Sequence, residues 1–164
     1  MSAQLHLANL LSSLLPQTRA FGLRRAFYRA AGIHVGLNTR INGGVNIQHT
    51  NVRIGADTWI GRRSEIVSTV DAPVAIGARC DVSQDVLFIT GSHEIGDPQR
   101  RAGTGRSLPI SVGDGTWIGA RVTLLGGAVL GRGVVVAAGS LVRDVFPDDV
   151  LVAGTPARIV RQLG

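Results

Sequence analysis

Aliphatic residues recur every six positions through the last third of the chain. Between Val112 and Val142 this spacing selects Val112, Ile118, Leu124, Leu130, Val136 and Val142. Three earlier runs follow the same rule, with extra residues between them: Val35, Ile41, Ile47, then Ile54, Ile60, Ile66, then Ile76, Val82, Phe88. A helix would repeat apolar residues at three and four, and a simple strand at two. A period of six therefore indicates a short strand, a corner and another short strand.

Such a repeat predicts an all-β solenoid over about residues 33–164, in which the aliphatic side chains of successive coils stack into one narrow column. Small residues often follow the aliphatic ones, as at Gly113, Gly119, Gly131 and Ala137. The composition agrees with this, because 22 residues are Gly and only four Phe, two Trp and one Tyr are present. A column this thin has little room for aromatic rings.

The N-terminal segment has a different pattern. Leu7, Leu10, Leu11, Leu14 and Leu15 lie at helical spacing and predict a short amphipathic helix. After Pro16, Thr18 is the expected cap of a second helix to about Ala31. The buried side of that helix is expected to hold Phe21, Ala26, Phe27 and Ala30. We interpret residues 1–32 as a helical cap on a β-helical domain of residues 33–164.

The same segment bears on location. Its apolar stretch is shorter than the roughly 20 residues that cross a bilayer, and no basic residues precede Leu7 as in a secretory signal. We therefore expect a cytoplasmic protein. Arg19, Arg24, Arg25 and Arg29 leave open a peripheral contact of the N-terminal helix with anionic lipid.

Composition and charge exclude several classes. A chain of 164 residues fits one domain, and a single cysteine excludes a disulfide scaffold or a multi-cysteine zinc site. The formal charge of +6 comes from 17 arginines, with no lysine, against 11 acids. These arginines are scattered, without the basic runs and interleaved aromatics of nucleic-acid binding, so no nucleic-acid partner is expected. A phosphorylated cofactor or an anionic sugar needs only a few of them.

The six-residue period is interrupted between Phe88 and Val112. The intervening residues 89–111 are polar and rich in Gly and Pro, which predicts a loop that protrudes from the coil. Long loops on rigid scaffolds commonly carry function. His93 lies at the start of this loop, and histidine is the natural base at neutral pH because its unperturbed pKa is near 6.5.

Four stretches carry a resemblance to a known family. They are residues 81–93 (DVSQDVLFITGSH), 115–119 (GTWIG), 139–142 (GSLV) and 152–158 (VAGTPAR). With the hexads, they resemble the hexapeptide-repeat acyltransferases, closest to sugar O-acetyltransferases of the maltose, galactoside and colanic-acid type. The resemblance implies a left-handed parallel β-helix, a homotrimer with sites between neighbouring subunits, and acetyl-CoA as the co-substrate.

The resemblance also implies roles for individual residues. The histidine that matches His93 is the general base, and the acetyl group passes directly from coenzyme A to the acceptor. The tryptophan that matches Trp117 walls the pantetheine channel, and the N–H groups at Gly119 and Ala120 contact the oxyanion and pantetheine. The remaining implied cofactor contacts are at Ala138, Gly139, Ser140, Arg143, Arg158 and Arg161.

Other residues stay ambiguous at this level. Glu94 either orients the His93 ring or is simply an exposed acid, and Arg100, Arg101 and Arg106 either meet an acidic glycan or stay solvated. Cys80 is expected to be a small buried residue rather than a nucleophile. No metal is expected, because the β-helical zinc enzymes need a second histidine soon after His93 and none follows it.

The predicted function is acetyl-CoA-dependent O-acetylation of a sugar or exopolysaccharide hydroxyl. The acceptor is open, because Arg62-Arg63-Ser64-Glu65 stands where the galactoside enzymes carry an asparagine beside the base. Two alternatives are N-acetylation of a nucleotide-linked amino sugar and a β-helix that serves only as a scaffold.

Overall fold

The computed structural model describes residues 2–164. Two helices, α1 (Ala3–Leu14) and α2 (Phe21–Ala30), precede twenty strands. Three parallel sheets form the faces of a coil. Sheet A contains β1 (His34–Val35), β4 (Val52–Ile54), β7 (Val74–Ile76), β12 (Ile110–Val112), β15 (Val129–Leu130) and β18 (Val145–Phe146). Sheet B contains β2 (Arg40–Ile41), β5 (Trp59–Ile60), β8 (Asp81–Val82), β13 (Trp117–Ile118), β16 (Val135–Val136), β19 (Val150–Gly154) and β20 (Ala157–Gln162). Sheet C contains β3 (Asn46–Ile47), β6 (Glu65–Val67), β9 (Leu87–Ile89), β14 (Thr123–Leu125) and β17 (Leu141–Val142).

The chain visits the sheets in the order A, B, C and then A again, so each turn adds one strand to every face. Ile118, for example, pairs with Val82 one coil before and with Val136 one coil after. The hexad aliphatics all point inward and are buried. The predicted left-handed parallel β-helix is confirmed.

The corners between sheets are where coils approach most closely. At the corner between sheets A and B, a Cβ on Gly55 would overlap the backbone of Gly77 and Ala78 in the next coil. This explains why small residues follow the hexad aliphatics. We refer to the AB corner, the BC corner (residues 61–64, 83–86, 119–122 and 137–140 among its segments) and the CA corner (90–109, 126–128 and 143–144 among its segments).

A column of hydroxyl groups runs up the inside of the AB corner. The Oγ1 atoms of Thr58 and Thr116 donate to carbonyls of the following coil, at Gly77 (2.8 Å) and Gly131 (3.0 Å). Cys80 occupies the coil between them, and its Sγ lies 3.2 Å from the Gly113 oxygen in the equivalent contact. Cys80 is fully buried, as predicted, and burial raises the pKa of its thiol.

The helices cover the first coil. The predicted short amphipathic helix is present as α1, which buries Leu5, Ala8 and Ser12, whereas Leu7, Leu10 and Leu14 point outward. The side chain of Asn9 explains this orientation. Its amide donates to the Ile47 oxygen (2.9 Å) and its oxygen accepts from the Ile47 N–H (3.3 Å), so it pairs with the free edge of sheet C.

The cap and the buried side of α2 differ from those predicted. Its cap is Ala20, in the left-handed conformation and without a side-chain hydrogen bond, and not Thr18. Arg24 and Tyr28 are buried, whereas Ala26 and Ala30 are exposed. Tyr28 donates to the Val45 oxygen at 3.0 Å. Of the predicted apolar side, Phe27 packs against the core and Phe21 against Trp59, while the buried polar side chains complete the anchor.

Arg24 joins the two helices from the inside. Its guanidinium donates to Ser12 and to the carbonyls of Leu15, Pro16 and Arg19, at 2.6–3.3 Å. Three of these carbonyls lie in the connection between the helices, where no helical hydrogen bond satisfies them, so the buried arginine stabilises that connection. Neither helix within residues 2–164 is long and apolar enough to cross a bilayer. The division at residues 32 and 33 stays a prediction.

Two segments are more regular than expected. The predicted loop of residues 89–111 contains an antiparallel hairpin of β10 (Gly91–Ile95) and β11 (Ala102–Ser107). The short C-terminal segment of residues 154–164 is predicted to form a turn, because Arg158 and Arg161 lie three apart after Pro156 and would share one face. It instead contains β20, which runs antiparallel to β19 and extends sheet B.

The close approach at Gly55 gives a stability prediction. Gly55→Ala should lower the free energy of unfolding by about 1–3 kcal/mol, because the added methyl group has no space between coils. Urea unfolding followed by circular dichroism measures this. Gly105→Ala is the matched control, since nothing lies within 4 Å of a Cβ there, and it should change stability by less than about 0.5 kcal/mol. Equal effects of the two variants would contradict the packing account.

Candidate functional site

The residues predicted for the site lie on two different corners of the coil. Ala120, Ala138 and Gly139 line a groove of about 560 Å³ at the BC corner. His93 lies on the hairpin that leaves the CA corner. Within one chain the structure does not bring the predicted base and the predicted cofactor contacts together.

The groove at the BC corner, here called the corner groove, is built from four stacked turns. Its lining residues are Arg62, Arg63, Gln84, Asp85, Ala120, Arg121, Ala138 and Gly139. The third turn places Arg121 in the left-handed conformation (φ 59°), and the fourth does the same with Gly139 (φ 73°). These positive φ values let the chain reverse direction within two residues.

The backbone N–H groups of these turns divide into used and free ones. The Gly119 N–H donates to the Val136 oxygen of the next coil at 2.9 Å, so the expectation of an available donor there is wrong. Glycine is needed at this position for space, because a Cβ would lie 2.6 Å from the Ala138 nitrogen. The N–H groups of Ala120 and Ala138 donate to no atom of residues 2–164. The N–H groups of Arg62 and Gln84, at the same place in their turns, likewise donate to no atom of residues 2–164, so the corner groove presents four backbone donors.

Ser140 contributes to the corner from the inside. It is only 2% exposed, and its hydroxyl donates to the Ala137 oxygen (2.7 Å) and accepts from the Gly154 N–H (3.2 Å). The hydroxyl ties the last turn of the BC corner to the end of β19. Ser140 is consequently a support of the groove wall and not part of its lining.

The arginines that line the corner groove differ in whether they already have a partner. Arg63 makes a two-pronged contact with Asp85, at 2.7 and 2.8 Å, and this hydrogen bonding holds the pKa of the Asp85 carboxyl below its usual range. Arg62 donates to the Gln17 side chain at 2.9 Å. Arg121 makes no ion pair within residues 2–164. Arg121 was not among the predicted site residues, although it directly follows Ala120 in the chain.

Trp117 lies beside the corner groove, on the outer face of sheet B. It is 56% exposed and pairs in register with Asp81, which in turn pairs with Trp59. The two tryptophans and Asp81 line a shallow depression of about 450 Å³ that shares Gln84 with the groove. Trp59 packs against Phe21 of α2 with ring centroids 5.8 Å apart. Its contact is therefore with the two helices and the first coil, which together are called the helical end.

His93 is exposed on β10, opposite Gly105 of β11. Beside it, a cavity of about 380 Å³ at the CA corner is lined by Ser92, Arg106 and Arg143 among others. Arg143 therefore lies on the side of the hairpin and not along the corner groove, where it was expected. Glu94 forms an exposed ion pair with Arg106 at 3.3 Å. Of the two alternatives for Glu94, this agrees with an exposed acid and not with a residue that orients the His93 ring.

The two terminal arginines have different surroundings. Arg158 pairs with Asp144 at 3.0 Å in an exposed contact, a type that contributes little to stability. Arg161 lies opposite Leu151, which continues the row of Trp117 and Val135 on the outside of sheet B. Of the two arginines, only Arg161 therefore lies in the same cross-strand row of sheet B as Trp117, which is a predicted cofactor contact.

Metal ligands are not grouped in residues 2–164, where no three His, Cys, Asp or Glu side chains could hold one ion. His6 lies on α1, and His34 and His49 lie in or beside the first coil. Each of these histidines is separated from His93 by the coils between them.

Comparison with known proteins identifies the family. The model of the bacterial transferase hexapeptide (six repeats) matches residues 109–144, and that of the hexapeptide repeat of succinyl-transferase matches residues 51–83. A hexapeptide-repeat acetyltransferase of Vibrio cholerae has a TM-score of 0.86 at 30% identity, over 99% of this chain and 90% of that one. The chain belongs to the hexapeptide-repeat acyltransferase family. The resemblance drawn from the four sequence motifs is confirmed.

Two Escherichia coli relatives are more specific in name. One carries the provisional name of a lipopolysaccharide biosynthesis O-acetyl transferase and is 30% identical over 156 residues, which are 88% of this chain and 68% of that protein. Galactoside O-acetyltransferase is 31% identical over 114 residues, or 70% of this chain and 55% of that protein. The hexapeptide-repeat chain described here spans about half the length of several relatives that it matches. A second structure of the Vibrio cholerae protein contains acetyl-CoA and has a TM-score of 0.85.

The ion pair at the edge of the groove gives a pH prediction. Because Arg63 lowers the pKa of Asp85 in the folded protein, their contact stabilises the fold at neutral pH. That contribution is lost as the pH falls through the lowered pKa of Asp85. The stability difference between the wild type and Arg63→Gln should therefore shrink in acid, and the Asp85 carboxyl should titrate at higher pH in the variant.

NMR titration of the side-chain carboxyl and urea unfolding across pH measure both effects. Arg121→Gln is the matched control, since Arg121 acts on Asp85 only through a weaker charge interaction. Its effect on the titration should be smaller. If both variants shift the titration equally, the assignment to the Arg63 contact is wrong.

Proposed function

We propose that the protein transfers an acetyl group from acetyl-CoA to a hydroxyl of a sugar or glycan. The observation that carries the proposal is the free Ala120 N–H in the corner groove. A backbone donor fixed by a stacked turn costs nothing to reorganise when charge develops on a carbonyl oxygen. The acetyl-CoA complex of the Vibrio cholerae relative supports the same ligand class here.

The corner groove fits coenzyme A in its chemistry. The N–H groups of Ala120 and Ala138 would donate to the amide and thioester oxygens of the pantetheine arm, and Trp117 would cover its apolar stretch. Arg121 and Arg161 supply guanidinium groups for phosphate oxygens, which suit their planar fork. Arg158 is the weaker candidate, because Asp144 already holds it.

His93 supplies the base. Its imidazole takes the proton of the acceptor hydroxyl while the hydroxyl oxygen attacks the thioester carbonyl carbon. The carbonyl oxygen becomes an oxyanion, which the Ala120 N–H stabilises, and the collapse of the intermediate breaks the carbon–sulfur bond. The imidazolium returns its proton to the leaving thiolate. Cys80 takes no part as an acyl carrier, because its thiol is fully buried.

A complete site requires two copies of the chain. His93 and the corner groove lie on different corners, so neither half alone holds both base and oxyanion donor. Association around a threefold axis would place the hairpin of one copy against the groove of the next, with three equivalent sites. This arrangement agrees with the trimer that the family resemblance implies.

The acceptor class follows from the relatives and from the hairpin. Galactoside O-acetyltransferase and the lipopolysaccharide-named protein support a sugar hydroxyl. Arg100 and Arg101 near the hairpin tip are exposed and make no ion pair within residues 2–164, which favours an anionic glycan. The product distinguishes this from the amine alternative, because an acetyl ester is labile in base and an amide is not.

The shared site predicts complementation between two inactive variants. His93→Ala removes the base and should lower acetyl transfer by about 10²- to 10⁴-fold. Ala120→Pro removes the free N–H at a turn position that proline suits, and should also lower it. Trimers mixed at random from both chains contain some interfaces with an intact His93 and an intact groove. Co-expression should therefore restore about a quarter of wild-type activity, measured with labelled acetyl-CoA.

Ala120→Gly is the matched control, since it keeps the N–H and should stay close to wild-type activity. Each variant is checked by urea unfolding. A site contained in one chain would leave the mixture as inactive as its parts, which would overturn the two-copy proposal. Retained activity of His93→Ala alone would overturn the role of His93 as the base and would favour another base. A wild-type protein that transfers no acetyl group would overturn the proposed function and would favour a scaffold.

A further inference from the structure

The outer face of α1 is apolar and has no partner within residues 2–164. Leu7, Leu10 and Leu14 are 52%, 51% and 74% exposed. Their spacing of three and four places them on one side of the helix, opposite the buried Leu5 and Ala8. We refer to Leu7, Leu10 and Leu14 as the leucine face. Exposed apolar surface of this extent on one element is typical of an interaction site.

The leucine face continues into a groove between the two helices. This groove has a volume of about 270 Å³ and is lined by Leu7 and Leu11 from α1 and by Phe27 and Ala30 from α2. Its walls carry almost no polar groups. The apolar surface is therefore wider than one row of side chains.

The net charge of the protein is concentrated at the same end. Residues 1–56 contain six arginines and no acid, and the eleven arginines that follow are balanced by the eleven acids. This segment comprises both helices and the coil nearest to them. Arg19, Arg29, Arg40 and Arg53 are exposed, whereas Arg24 is buried between the helices.

The charge distribution decides between possible occupants. If a second copy packed its leucine face on this one, two segments that each carry a formal charge of +6 would be brought together. That arrangement is electrostatically unfavourable. A surface that is apolar inside and negatively charged outside matches both features. An anionic phospholipid bilayer has this structure, since an interfacial helix buries its apolar side at the headgroup boundary while arginines meet the headgroups.

We propose that the leucine face, together with the unbalanced arginines of the same end of the protein, forms a docking surface for an anionic phospholipid bilayer. α1 lies in the plane of the interface and does not cross it, because it has only 12 residues. The proposal does not depend on acetyl transfer. It concerns the helical end, and the corner groove and the hairpin take no part in it.

Vesicle flotation of the full chain tests the proposal. Wild-type protein should float with vesicles of equal parts phosphatidylcholine and phosphatidylglycerol at least about tenfold more than with phosphatidylcholine alone, and high salt should reduce this binding. The double variant Leu10→Gln, Leu14→Gln should lose about tenfold of the binding. Glutamine retains good helix propensity, so α1 should still form, which circular dichroism checks.

Ile159→Gln is the matched control, because Ile159 is 48% exposed on β20, outside the helical end. It should bind like the wild type. Equal binding to both kinds of vesicle, or undiminished binding of the double variant, would overturn the proposal. Sedimentation that shows the leucine substitutions dissociating a larger assembly of chains would also overturn it, since the face would then be an interface between copies.

Discussion

The structure depends on the backbone hydrogen bonds that join each strand to the strand one coil away. Each of these bonds requires the same residue position in successive coils to lie directly above its equivalent. The six-residue period, the inward aliphatics and the small corner residues all follow from that requirement. Gly119 shows both effects of the stacking. Its N–H donates to the Val136 oxygen, and its lack of a side chain leaves room for Ala138 of the next coil. What remains for chemistry is what the stacking leaves unused, such as the Ala120 N–H.

A second consequence is that function is distributed over the outside of a solid column. Within residues 2–164 the inside of the coil is filled by the buried aliphatic column, and the corner groove, the hairpin and the helical end each lie on a different part of the surface. The proposed site has to be completed by a neighbouring copy for this reason. The helical end, with its leucine face and unbalanced arginines, stays outside that site and is available for another contact.

The sequence was sufficient to predict the structural features that repeat in every coil. It was not sufficient to predict the contacts that occur only once in the molecule. The column from Val35 to Val142 could be predicted because each coil repeats the same spacing, and Cys80 was placed correctly by its position in the period. The contacts that hold the helices could not be predicted, because Asn9 and Ile47 are distant in the chain and the bonds of Arg24 depend on how the two helices pack. Arg143 lies beside the hairpin and not with Ala138 and Gly139, since motif similarity gives no information on which corner a side chain faces.

The most direct test of the account is amide hydrogen exchange at the BC corner, measured by NMR with and without coenzyme A. The account predicts slow exchange at Gly119 in both states, because its N–H bonds to the next coil. It predicts fast exchange at Ala120 in the free protein and strong slowing when coenzyme A is bound. Unchanged exchange at Ala120 on saturation with coenzyme A would contradict the central claim that this free donor forms the cofactor site.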